Sequence, residues 1–168
     1  LRYVRETQPS ASLNHIRQIR VRYPDDAMHL DSVTIRNLEL VRAAGRSDES
    51  PGASAHTLLG VLDRTVTAMG GRLLREWLLR PLVTCASIEA RLTAVDELRT
   101  QLDARVHLRS ALRPVQDISR LSSRISLGVA NPRDLLALTV SLASLPAVQT
   151  GLAALCAPLL RDLSTTWD

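Results

Sequence analysis

The feature that most constrains this chain is a run of leucines at helical spacing between Thr57 and Pro81, TLLGVLDRTVTAMGGRLLREWLLRP. In its second half the apolar residues share one helical face, and arginines with one glutamate occupy the other. Proline cannot continue a helix, so the helix is expected to end before Pro81. The residues expected to pack in a core are Leu58, Leu62, Leu73, Leu74, Trp77 and Leu78.

Composition favours a core made of packed helices. Of the 168 residues, 45% are hydrophobic but 2% are aromatic, and phenylalanine is absent. Such a core must be built from leucine, valine, isoleucine and alanine. The length suits one domain. We therefore predict a mainly α protein, a helical bundle with a small β-containing N-terminal segment.

The β-containing segment is predicted near the start of the chain. Residues 19–23 alternate between apolar and polar side chains, as in a half-buried strand. Residues 28–30 are candidates for a second short strand, and residues 38–40 are also expected to be extended. Asp31 is suited to cap a helix between these two pieces. Residues 43–56 are rich in small and polar side chains and predict a mobile loop.

Past Pro81 the pattern is that of successive helices, each with one apolar face. The faces are Ile88, Leu92, Val95 and Leu98; then Val106, Leu108 and Leu112; then Val115, Ile118, Leu121 and Ile125. Gly128 is expected to stop the third of these helices. Asn131 and Pro132 are expected to begin the next, because asparagine caps exposed amides and proline fits the first helical position.

Residues 135–160 contain no charged side chain and are numerous enough to cross a bilayer. However, polar side chains and Pro146, Gly151 and Pro158 divide the run, and its leucines form two helical series. We therefore predict two buried helices joined at Leu145–Pro146, without membrane insertion.

The sequence offers no catalytic, cofactor-binding or metal-binding motif. It has no lysine, which excludes the phosphate-binding loop GxxxxGK[ST], and Gly70–Gly71 lacks the third glycine of a dinucleotide fingerprint. The histidines have no second ligand at helical spacing. Cys85 and Cys156 are predicted to be buried free thiols of a cytosolic protein, because they stand in no metal-binding or redox pattern.

The charge pattern is a mild basic bias, which is compatible with an anionic partner but falls short of a dedicated basic binder. All 21 basic residues are arginine, against 17 acidic residues, which gives a formal net charge of +4. The purest basic series repeats at every fourth position and continues into the following helix; it is Arg105, Arg109, Arg113, Arg120 and Arg124. Contact with a phosphate backbone and pairing with acids of a neighbouring domain both remain open. Arg72, Arg75 and Arg80 are interpreted as a solvated helix face, since Glu76 interrupts them.

Several blocks of the sequence resemble a known family. TLLGVLDRTVTAMGGRLLREWLLRPL is similar to the core, or lever, domain of the bacterial MutS family of DNA mismatch-recognition proteins. LRYVRETQ and MHLDSVTIRNLEL resemble the segment leading from the connector domain into that core. IEARLTAVDEL and LRPVQDISRLSSRISLGVANPRDLLAL resemble the helices that follow. The resemblance implies a connector tail and leading segment at residues 1–23 and the first part of the helical core at residues 24–168.

The resemblance implies a mechanical role without catalysis. In the family, other domains recognise the mismatch and hydrolyse ATP with Mg²⁺, and the core couples the ATPase to the DNA clamp. The implied partners are mismatched double-stranded DNA, other MutS domains, a second copy in a homodimer and a MutL-type protein. The implied location is the bacterial cytoplasm, at the nucleoid. Asn37, Asp63 and Arg72 are expected to fix the segment leading into the core.

Two further expectations remain. The alternative function is an autonomous helical module that binds the DNA backbone non-specifically through the arginine series. In the family the clamp interrupts the core, whereas this sequence stops at Asp168 after a weaker match from Ala147. An uncovered apolar patch, and self-association through residues 135–160, are therefore expected.

Overall fold

The computed structural model describes residues 27–43 and 56–166, and within those ranges nearly all regular structure is helical. The described helices are α1 (Ser32–Asn37), α2 (Leu58–Leu62), α3 (Ala68–Leu79), α4 (Cys85–Thr100), α5 (Leu102–Leu112), α6 (Ile118–Ser126), α7 (Pro132–Ala153) and α8 (Pro158–Thr165). The predicted mainly α fold is confirmed. The strand predicted at residues 19–23 lies outside the described residues, as does the loop predicted at 43–56 apart from its two ends.

Hydrogen bonds at the two ends of helix α1 fix where it begins and where it ends. The carboxylate of Asp31 accepts a hydrogen bond from the N–H of Thr34 at 2.6 Å, which is the predicted cap. At the other end, Glu39 has a φ of 49°, and the N–H of Leu40 donates to the carbonyl of Ile35 at 3.2 Å. This is a Schellman-type end, which reverses the chain. The extended backbone predicted after α1 is therefore wrong.

The segment before α1 pairs with the end of α3 through the backbone. The N–H of Met28 donates to the carbonyl of Pro81 at 2.7 Å, beside an isolated antiparallel bridge between Ala27 and Leu82. Proline has no N–H with which to extend such a ladder. The strand predicted at residues 28–30 is thus replaced by a single bridge in the described part of the chain.

Helix α3 ends where the sequence predicts, and a threonine caps its start. The hydroxyl of Thr67 accepts a hydrogen bond from the N–H of Gly70 at 3.1 Å, and the helix ends at Leu79, before Pro81. A Cβ added to Gly70 would lie 3.0 Å from the same hydroxyl. The glycine therefore makes room for the preceding turn.

The apolar face predicted for α2 and α3 is only half covered. Leu58, Leu62 and Leu73 are exposed, and Trp77 keeps 38% of its surface accessible. The remaining two predicted packing residues, Leu74 and Leu78, are half-buried. Periodicity identifies an apolar face but does not say what covers it, and in the described residues the helix that α3 packs most closely against is the short α2.

The hydrophobic core lies where α4, α5, α7 and α8 meet. Its buried members are Ala94, Leu108, Val148, Leu152, Leu155, Ala157 and Leu160. Helices α5 and α7 approach closely at Gly151, where an added Cβ would lie 2.7 Å from Leu108 Cδ2. Helix α6 packs on α7 as well, and its predicted face is confirmed, with Val115 and Leu121 buried.

The face predicted for α4 is wrong. Leu92 and Val95 are each 60% exposed and Ile88 is also exposed, whereas the small side chain of Ala94 is buried against the core. Leu98 alone of the predicted stripe packs there. The prediction followed the largest apolar side chains of α4. The side of α4 that packs against the core instead carries the small side chain of Ala94.

Helix α7 is one continuous helix, which corrects the prediction of two helices joined at Leu145–Pro146. It begins at the predicted cap, where Asn131 and Asp134 form a capping box. Pro146 lies inside the helix, and packing against α5, α6 and α8 holds the helix together despite the missing backbone donor. By length and composition alone α7 could cross a membrane, but it is also the helix against which those three neighbours pack.

The two cysteines are exposed, which corrects the prediction that they are buried. Cys85 is the first residue of α4 and Cys156 lies in the turn between α7 and α8. In that turn the N–H groups of Cys156 and Ala157 donate to the two carboxylate oxygens of Glu97, each at 2.7 Å. Residue type predicted burial, but turns and helix ends are surface positions.

Candidate functional site

The most specific polar contact in the described structure joins α3 to α6. The guanidinium of Arg72 donates to both carboxylate oxygens of Asp117, at 2.5 and 2.8 Å, across 45 residues of sequence. Asp117 also caps α6, because its carboxylate accepts from the N–H of Arg120 at 3.2 Å. One carboxylate therefore starts a helix and fixes another helix against it.

The electrostatics of this pair favour the charged forms. The hydrogen bonds from Arg72 hold the pKa of Asp117 at about 2, against an ordinary value near 3.8. The hydrogen bond to Asp117 likewise raises the pKa of Arg72. Both groups are therefore ionised at neutral pH.

Two further arginines connect the α2–α3 unit to the helices that follow it. The guanidinium of Arg109, on α5, donates to the carbonyl of Arg64 at 2.7 Å. The guanidinium carbon of Arg91, on α4, lies 3.8 Å from the centroid of the Trp77 ring on α3, which is a cation–π contact. We call these contacts, together with the pair formed by Arg72, the arginine seam.

The arginine seam lies between two groups of helices that pack mainly within themselves. Helices α2 and α3 pack on each other, while α4 to α8 form the continuous bundle. Of the seam residues, sequence reasoning named Arg72 and Arg109 but missed Arg91 and Asp117. The signal for Asp117 was present, since an aspartate directly before an apolar helical series is a typical N-cap.

The predicted arginine series does not form one surface of equivalent side chains. Arg105 donates to the carbonyl of Leu98 at 3.4 Å, and Arg109 belongs to the arginine seam. Arg124 pairs with Asp134 at 3.0 Å. The remaining two, Arg113 at the end of α5 and Arg120 on α6, are exposed.

Arg120 and Arg124 line a cleft of about 260 Å³ together with Asp117 and Asp134. Two arginines and two carboxylates leave this cleft with no net charge of its own. It is therefore a mixed-charge surface, and contact of the arginine series with DNA stays a prediction.

The three residues expected to fix the leading segment have different surroundings. Asp63 accepts hydrogen bonds from the N–H and the hydroxyl of Thr65, at 2.9 and 2.7 Å, and these bonds lower its pKa. It therefore orders the turn before α3. Arg72 binds α6, and Asn37 is exposed at the end of α1. Among the described residues no group of three or more histidine, cysteine, aspartate or glutamate side chains could hold a metal ion.

Comparison with known families settles the relationship of the chain. Residues 33–165, which include nearly all of the described helices and the whole arginine seam, match the profile of the family described as MutS domain III. The chain belongs to the MutS domain III family. The resemblance of the sequence to the MutS core is thereby confirmed.

Curated relatives are similar in sequence to this MutS domain III chain over nearly its full length. DNA mismatch repair protein MutS of Pelotomaculum thermopropionicum is 46% identical over 99% of the chain. MutS of Solibacter usitatus is 45% identical over 100%, and MutS of Anaeromyxobacter dehalogenans 48% identical over 96%. The chain spans 18 to 19% of the length of these relatives.

Proposed function

We propose that this MutS domain III chain is a coupling element of a mismatch repair protein. In this role it transmits changes of position between an ATP-hydrolysing domain and a DNA-clamping domain, and it catalyses no reaction itself. The proposal is supported by membership of the MutS domain III family and by the names of the relatives, which are DNA mismatch repair proteins.

The observation that carries the proposal is the arginine seam. A bundle of packed helices deforms little, whereas ion pairs and cation–π contacts can be broken and remade without creating a cavity. We therefore propose that the seam is a joint between the two helical groups and that it can adopt more than one arrangement. Coupling between distant sites needs such an element.

The remaining partners belong to the same proposal. ATP and Mg²⁺ act in another domain of the MutS-length protein, which binds mismatched double-stranded DNA, forms a homodimer and meets a MutL-type partner in the bacterial cytoplasm. The ground for this assignment is what the resemblance to the MutS family implies; the relatives, of which the chain spans about one fifth, carry the name DNA mismatch repair protein MutS.

DNA binding by the isolated chain is the first test. We would measure the fluorescence anisotropy of labelled homoduplex and mismatched duplex with the 168-residue chain over a series of salt concentrations. A coupling element without DNA-binding function gives negligible binding at moderate salt. Strong binding that falls steeply with salt and is equal for both duplexes would instead support backbone binding by the arginine series. A preference for the mismatch would contradict both.

The joint itself is tested in a MutS-length protein that contains this domain. Arg72→Gln and Asp117→Asn should each alter the effect of ATP on release of mismatched DNA, while ATP affinity stays unchanged. Asparagine retains the N-cap, so Asp117→Asn removes mainly the charge. The double variant should be no worse than either single variant, because both remove one contact. Independent, additive effects would contradict a shared role.

A further inference from the structure

A second cleft, between α1 and α3, is lined by three arginines and three large apolar side chains. Its volume is about 240 Å³. The apolar walls are Ile35, Val41 and Leu79, and the basic walls are Arg36, Arg42 and Arg75. Among the described residues that line it there is no carboxylate. We call this site the α1–α3 cleft.

The charge of the α1–α3 cleft selects an anion. Two of these arginines, Arg36 and Arg75, face the same cavity, and an anionic group placed between them is attracted by both. A guanidinium binds a carboxylate through two parallel hydrogen bonds, which favours planar carboxylates in a site of this composition. The side chains of Arg36 and Arg75 lie on different helices, so a bound anion would bridge α1 and α3.

The apolar side chains that line the α1–α3 cleft further restrict the kind of ligand that fits it. Ile35 and Leu79 provide apolar surface next to the guanidinium groups, and only a ligand with an apolar group beside its charge can use both. A phosphate backbone has no such group and is bound by extended basic surfaces that follow the strand. A peptide that alternates acidic and apolar side chains meets both requirements.

We infer that the α1–α3 cleft docks an acidic peptide segment of a partner polypeptide. Carboxylates of the segment bind Arg36 and Arg75, and one apolar side chain of the segment packs against Ile35 and Leu79. The site is separate from the arginine seam and does not depend on the proposed coupling role. It is an interaction surface on α1 and α3, two of the helices that precede the bundle formed by α4 to α8.

The test uses the 168-residue chain and a fluorescein-labelled peptide of sequence EELEEL, followed by anisotropy. The peptide is expected to bind, and the peptides QQLQQL and EEGEEG, which lack the charges or the apolar side chains, to bind at least about tenfold more weakly. The double variant Arg36→Gln with Arg75→Gln should weaken EELEEL binding by about tenfold or more. Arg133→Gln with Arg161→Gln, which makes the same change in net charge on α7 and α8, should change it less than about twofold.

Three results would overturn the inference. The first is equal loss of affinity in the two double variants, which would mean that net charge alone attracts the peptide. The second is binding of a DNA duplex that depends on Arg36 and Arg75 more strongly than peptide binding does. The third is a dimer of the chain that dissociates in the Arg36→Gln, Arg75→Gln variant, since a second copy would then be the occupant. Circular dichroism and urea unfolding confirm that each variant is folded before its affinity is compared.

Discussion

Gly151 sets how closely α5 and α7 pack. Because a Cβ at this position would lie 2.7 Å from Leu108 Cδ2, and Leu108 is itself buried, a larger side chain must displace the core. Gly151→Val should lower the free energy of unfolding by about 2 kcal/mol. Urea denaturation measures this loss. Ala147→Val, an exposed position on the same helix, is the control and should cost about 0.5 kcal/mol. A loss at Gly151 no larger than that of the control would show that the contact with Leu108 does not limit the size of this side chain.

Asp117 makes the stability of the chain depend on acid pH. Its pKa is about 2 in the folded protein and about 3.9 in an unfolded chain, so its contribution is present above pH 4. That contribution is lost as the pH falls from about 4 towards 2. Asp117→Asn should therefore be less stable than the parent at pH 7, and the difference should shrink by pH 3. Urea unfolding at pH 7, 4 and 3 checks this. A difference that is constant with pH would mean that the carboxylate charge contributes nothing.

At the scale of helices, Glu97 is what attaches α8 to α4. Its two carboxylate oxygens accept from the N–H groups of Cys156 and Ala157 at the start of α8. Glutamine has one acceptor oxygen, so Glu97→Gln leaves one of these amides without its partner and should cost about 1 to 2 kcal/mol. Hydrogen exchange should then be faster in α8 than in α5.

The matched control for Glu97 is Glu89→Gln, which removes the charge of an exposed side chain on the same helix. It should leave both the unfolding midpoint and exchange in α8 nearly unchanged. Slower or unaltered exchange in α8 of Glu97→Gln would contradict the attachment.

Local chemistry at helix ends was predictable from the sequence. Asp31 and Asn131 each cap the helix that follows them, as predicted, because a side-chain oxygen satisfies an amide a few residues away and needs no distant partner. The predicted stop at Pro146 failed because packing of both halves of α7 outweighs one missing hydrogen bond. The contact of Arg72 with Asp117 joins residues 45 positions apart, and no local pattern specifies such a pairing.

At the scale of the whole molecule, the described surface includes an apolar patch on the first half of α7. Its exposed members are Leu135, Leu136, Val140 and Leu142, whereas Leu152 on the second half of α7 and Leu160 on α8 are buried. The predicted self-association should therefore proceed through this half of α7. Sedimentation velocity should show dimers or larger species at high protein concentration.

The double variant Leu136→Gln with Val140→Gln should restore the monomer, because both side chains lie one helical turn apart on the patch. Leu92→Gln with Val95→Gln, which removes equally exposed apolar residues from α4, is the control and should still associate. A parent chain that remains monomeric at every concentration would show that the patch is too small to hold two copies together.

The fit of Leu108 over Gly151 also has a mechanical consequence. Sliding α5 along α7 by one residue would bring Leu108 over Thr150 or Leu152, both of which carry side chains where Gly151 has none. The two helices are therefore locked in register. Slip between α5 and α7 would require the core to open, so we expect a force applied to one of these two helices to move both together.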